Sequence, residues 1–158
     1  MNAAATIAAE PARAAIDHAR LFIAEEFTPL YHTPAFRQLA GDARLRYNQL
    51  HALYYNEQAA FFEQEMLSPA LAALLRKDLP ASLAEGVREF FGEEQRHTAM
   101  FRALNLRCAP HFYAREPYYF IRMARPWRKL ITGMASRPTT FPLLLWLALL
   151  QEERSLYY

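Results

Sequence analysis

The chain has 158 residues, 53% apolar and 14% aromatic, which excludes a disordered protein and allows one domain with a buried core. With 18 Lys and Arg against 16 Asp and Glu the net charge is +2, too small and too scattered to mark a nucleic-acid surface. The single cysteine, Cys108, excludes an internal disulfide and suits a reducing compartment.

Residues 1–12 are alanine-rich and lack the basic start and apolar stretch of a signal peptide, so they read as a flexible tail. A first helix is predicted over Pro11–Glu26, with Ile16, Ile23 and Phe27 inward. Thr28–Ala43 reads as a linker, broken by Pro29, Pro34 and Gly41. A long helix is predicted from Ala43 to Ser68, and Pro69 then opens a short one to Leu75. Ser82, with Glu85 three residues on, forms a capping-box pattern for a helix running to Asn105. Ala109–Arg137, with Pro110, Pro117 and Pro126, reads as irregular or weakly helical. Its basic residues Arg122, Arg125, Arg128 and Lys129 surround Trp127 and read as a solvated face. A last helix starts near Thr140 and is still running at Tyr158. Its apolar run Phe141–Leu150 is too short to span a bilayer. No segment alternates as a strand does, so the fold class is all-α.

The chemistry lies on three of these helices. Leu83, Val87, Phe90, Glu94, His97, Phe101 and Leu104 step by four and three residues, the pattern of a bundle-core stripe. A carboxylate in such a stripe is costly to bury unless something compensates it. A divalent metal compensates Glu94 and His97 together, and a spacing of three residues puts both on one helix face. The long helix offers Glu57, Glu63 and Glu65, and periodicity does not choose between Glu57 and Glu63. In the last helix Pro142, Trp146, Leu149, Glu153 and Leu156 repeat the same steps, placing Glu153 inward with Glu152 as its rival.

An inward acid on each of three helices, one within Glu-x-x-His, is the ligand scheme of ferritin-like carboxylate-bridged dimetal proteins. Three segments make the resemblance specific. Tyr55, Asn56 and Glu57, then Glu63 and Gln64, then Ser68, Pro69 and Ala70 resemble the first ligand helix of the p-aminobenzoate N-oxygenase family. Glu93, Glu94, Gln95, Arg96, His97 and Thr98 resemble that family's second ligand motif. Leu145 and Trp146, followed by Glu153 to Leu156, resemble the third more loosely. The resemblance implies a ferritin-like bundle with metal ligands Glu63, Glu94, His97 and Glu153, and leaves Glu57 a non-ligand near the site. It implies two Fe ions, with Mn an alternative, and O₂ as co-substrate. Glu94 and Glu153 would bridge the two ions, with Glu63 and His97 serving one each.

The family's fourth ligand helix carries two further His and a Glu. His18, His32, His51 and His111 lie in no such motif, so the single domain over 1–158 is expected to be incomplete at its C-terminus. The expected function is a non-haem diiron oxygenase acting on a small organic substrate, with an amine nitrogen as the site of oxidation. Phe61, Phe62, Phe90 and Trp146 are expected to line its pocket. An external electron donor, a homodimer and a cytoplasmic setting are expected with it, and no nucleic-acid or membrane partner. The alternative is a helical remnant that dimerises as a structural module.

Overall fold

The computed structural model describes residues 15–137 and 139–155, the side chains of 125, 132, 136, 148 and 151–155 excepted. Its helices are α1 (Pro34–Gln38), α2 (Gly41–Phe62), α3 (Ser68–Leu74), α4 (Ala81–Cys108), α5 (Pro110–Tyr113), α6 (Arg125–Ser136) and α7 (Phe141–Ser155). A π-helical segment, Glu63–Leu67, joins α2 to α3, and short 3-10 turns at Glu25–Phe27 and Pro29–His32 precede α1. No strand occurs among the described residues, and none of their helices is long and apolar enough to cross a membrane.

The segment before α1 departs from expectation. From residue 15 to Ala24 it is not helical, because buried side chains of α2 take its backbone hydrogen bonds. Asn48 Oδ1 accepts from Phe22 N at 2.8 Å and Asn48 Nδ2 donates to the Ile23 carbonyl at 2.8 Å. Gln49 Nε2 donates to the His18 and Arg20 carbonyls at 2.8 and 3.1 Å. A backbone satisfied in this way has no need of a ladder of its own. Phe27, expected inward, is exposed.

Nor does the long helix stop at Ser68. Phe62, Glu63, Leu67 and Ser68 all keep right-handed helical dihedrals, so α2, the π segment and α3 run on through Pro69. Proline removes one helical donor and crowds the carbonyl four residues back. That carbonyl belongs to Glu65, inside the π segment, where Ser68 N donates five residues back to the Glu63 carbonyl. The wider turn accommodates the ring without a break.

Helix α4 starts at Ala81 behind Pro80, and no side-chain cap is made, so Ser82 lies inside the first turn and the capping box does not form. It ends at Cys108 because Ala109, pushed off the helical dihedrals before Pro110, cannot continue it. The stretch expected to be irregular or weakly helical contains α6, whose Pro126 occupies the first turn that tolerates proline.

Packing follows from these helices. Ala70 and Ala73 of α3 meet Ile131 and Ala135 of α6 and Phe141 and Leu144 of α7. Small alanines on α3 let the α6–α7 pair approach closely. Phe62, Leu67 and Leu71 meet Val87 of α4, and Leu53 meets Cys108, Ala109 and Tyr113 near the far end of α4. Leu144 is 2% exposed, so Leu144→Ala should cost about 2–5 kcal/mol in urea unfolding. A loss under ~1 kcal/mol would mean α7 is not seated on α3 as described.

Candidate metal centre

Glu63 is the first residue of the π segment, and Glu94 and His97 lie mid-way along α4. Helix α2 packs along α4, and the π segment also touches α4. The two helices therefore face each other at this level. One donor atom from each of Glu63, Glu94 and His97 lies within 4.8 Å of the others. Glu94 Oε1 is 3.8 Å from His97 Nδ1. Thr98, next to His97, donates its hydroxyl to Glu63 Oε2 at 2.8 Å.

Both carboxylates are buried, Glu63 at 6% and Glu94 at 4% exposure, whereas the His97 side chain is 53% exposed. This corrects the expected inward pair. The stripe drawn through Leu83, Val87, Phe90, Glu94, His97, Phe101 and Leu104 shares only part of the packed face. The buried residues of α4 are Val87, Glu94, Thr98, Asn105 and Cys108. Leu83, Phe90 and Leu104 are exposed. Two rows of α4 step by four and three residues and cross at Val87, Glu94 and Phe101, and only the partner helix selects between them. His97 stands at the rim of the site, with Glu94 beneath it.

The three acids of the long helix have separate surroundings. Glu57 is 1% exposed, and both its oxygens are engaged. Oε2 accepts from the Tyr113 hydroxyl at 2.8 Å and from Tyr119 N at 2.9 Å, and Oε1 accepts from Ile121 N at 2.5 Å. Glu57 is the anchor of the strap 114–124. Burial and the Glu57 carboxylate together push the Tyr113 phenol far above its ordinary pKa, so it remains a donor. Glu65 forms an ion pair with Arg128 of α6 at 2.9 Å. Glu63 alone of the three joins Glu94 and His97 in the close group.

The aromatic pocket expected from Phe61, Phe62, Phe90 and Trp146 is not assembled. Phe62 belongs to the core beside Val87, and Phe61 packs edge-on against Tyr118 with centroids 5.4 Å apart. Phe90 and Trp146 are exposed. On α7 the stripe expected inward is exposed at Trp146 and Leu149, because Phe141 and Leu144 make the contact with α3. The side chains of Glu153 and its rival Glu152 lie outside the described residues.

Two residues escaped sequence reasoning. Thr98 stands in the second ligand motif, but its hydroxyl carried no assigned role, because its acceptor Glu63 lies 35 residues away in the chain. Tyr118 is held by Arg102 Nη2, which donates to its hydroxyl at 2.9 Å, and nothing in the spacing of the two ties them.

The chemistry of this donor set fits a divalent transition metal. Two carboxylates buried side by side repel one another, and an imidazole within reach adds a nitrogen donor. Glu94 Oε2 is buried, so a cation beside it would offset the cost of keeping a carboxylate from water. Carboxylate and imidazole donors together suit iron or manganese. A family model described as P-aminobenzoate N-oxygenase AurF matches residues 7–153. No curated protein and no solved structure matches the chain.

Proposed function

Because the chain belongs to the p-aminobenzoate N-oxygenase AurF family of ferritin-like diiron proteins, we propose that Glu63, Glu94 and His97 hold iron in a non-haem oxygenase centre. The observation that carries this reading is the close group itself: a lone Glu from one helix beside a Glu-x-x-His pair from the next. Glu153 of α7 is proposed as the fourth ligand, with Glu152 the alternative. The irons, when bound, supply the reduction of O₂ and the oxidation of a small organic substrate, with an amine nitrogen as the site attacked.

The chain's own residues have other tasks. Glu63 and Glu94 present negative charge from a buried position, where it attracts a cation more strongly than in water. His97 offers a nitrogen at the exposed rim, the side from which an ion enters. The Glu57 clamp holds the strap against α2 and so fixes Tyr118 beside Phe61, two residues before Glu63. An external electron donor, a cytoplasmic setting and a homodimer belong to the same proposal. Exposed Trp127, Trp146, Leu143 and Leu150 support the dimer, since such surface is commonly covered.

Anaerobic loading with ferrous iron tests the reading. The expected result is about two iron ions per intact chain, its fourth ligand helix supplied, after desalting, the content of a dimetal carboxylate site. Exposure of the loaded protein to O₂ should then change its optical spectrum. Iron near zero after both aerobic and anaerobic loading would remove the oxygenase reading.

A further inference from the structure

We infer that Thr98 is a positioning residue for the metal centre, holding the Glu63 carboxylate in place before any ion arrives. The inference rests on the metal-centre reading and adds a residue to it. A threonine within a helix commonly turns its hydroxyl back to a carbonyl of its own preceding turn. Thr98 instead donates across the interface to Glu63 Oε2 at 2.8 Å, a buried contact between positions 35 apart in the chain. Both partners are buried, Thr98 at 4% and Glu63 at 6% exposure.

Glu63 needs such a partner. It opens the π segment, where the regular four-residue bonding of the backbone gives way to a five-residue bond from Ser68 N to its own carbonyl. Its side chain has three rotors and a charged end that burial alone would not orient. A hydroxyl donated to a carboxylate is a strong, directional bond in an apolar setting. The β-branched Thr98 is itself stiff about its first side-chain bond. Fixing one oxygen therefore fixes the rotamer that carries Glu63 to within 4.8 Å of Glu94 and His97. On α4, two consecutive residues thus perform complementary tasks: His97 provides a donor, and Thr98 aims a donor from the neighbouring helix. Outer-shell partners of this kind orient ligands and tune affinity in metal sites generally.

The test uses the full metal-free chain and Co²⁺ as the probe, with affinity read by chelator competition and the donor set read from visible absorption. Thr98→Val preserves shape and removes only the hydroxyl. Its Co²⁺ affinity should fall about 10–100-fold, with a changed absorption envelope, while Thr98→Ser restores both. A purely packing role for Thr98 would leave the Co²⁺ spectrum untouched. Thr98→Val with affinity within about twofold of wild type and the same spectrum overturns the inference alone. A wild-type chain that takes up no Co²⁺ overturns the metal-centre reading and this inference with it. If the valine variant does not fold, Thr98→Ala against Thr98→Ser decides on the same two readouts. Loss in alanine with retention in serine supports the inference, and equal binding by both overturns it.

Discussion

Glu94→Gln should abolish stable metal uptake and leave the metal-free protein as stable as wild type or more so. The substitution keeps the volume of the side chain and removes its charge. In the metal-free chain that charge is a burden, since Glu94 is 4% exposed and shares its surroundings with the equally buried Glu63. Removing one of two buried like charges relieves their repulsion and the cost of keeping a carboxylate from water. With metal present the balance reverses, because the amide is a poor ligand and the close group keeps only Glu63 and His97 beside the proposed Glu153. Affinity should fall by more than about 100-fold, beyond what loss of an outer-shell partner costs. Thermal unfolding with and without Co²⁺ reads both halves at once. The wild type should gain stability on adding metal, through binding to the native state, and the variant should not. A Glu94→Gln protein that is less stable without metal and still gains from Co²⁺ would make Glu94 an ordinary polar core residue.

The second large effect concerns Glu57, the acid that the spacing of the long helix offered as an alternative to Glu63. Glu57→Ala should destabilise the fold by about 3 kcal/mol or more, because it strands the Tyr113 hydroxyl and the amides of Tyr119 and Ile121. Hydrogen bonds to a charged group are each worth more than neutral ones, and donors left buried carry their full desolvation cost. The strap 114–124 should become the first site of proteolysis, since the hydrogen bonds of Tyr119 and Ile121 to α2 run through this carboxylate. Metal uptake should persist in whatever fraction remains folded. The two acids thus exchange signatures: loss of Glu94 costs metal, and loss of Glu57 costs the fold. Metal lost from a Glu57→Ala protein of unchanged stability would reverse the assignment.

The helical character of the chain was legible because it is local. The four-and-three spacing of apolar residues, the scarcity of glycine and the placing of prolines are properties of short windows. They predicted α2, α4 and α7 to within a few residues at most ends. The errors have a shared origin. The stretch before α1 has a helical pattern, but Asn48 and Gln49, on a helix many residues away, satisfy its backbone instead. Pro69 reads as a helix start in any window, and only the π turn before it lets the helix pass through. Pro126 and the basic residues around it read as irregular or weakly helical, and the burial of Ile131 and Ala135 against α3 makes the whole of α6 worth forming.

The candidate site divides along the same line. By itself the sequence determined that Glu94 and His97 lie on one helix, about a turn apart and within reach of each other, because a spacing of three residues fixes that whatever surrounds it. It also determined that the long helix carries several acids, and that the chain resembles a diiron family through motifs of a few residues each. Only the tertiary structure decided which acid meets the pair. Glu57 and Glu63 both lie on the long helix, and the choice fell to what stands opposite: a tyrosine and two strap amides against Glu57, and Thr98 with Glu94 against Glu63. It decided as well that Glu94 is buried while His97 stands half in solvent. Periodicity defines a stripe, but the centre of the packed face depends on where the partner helix lies, and no window of α4 contains that partner.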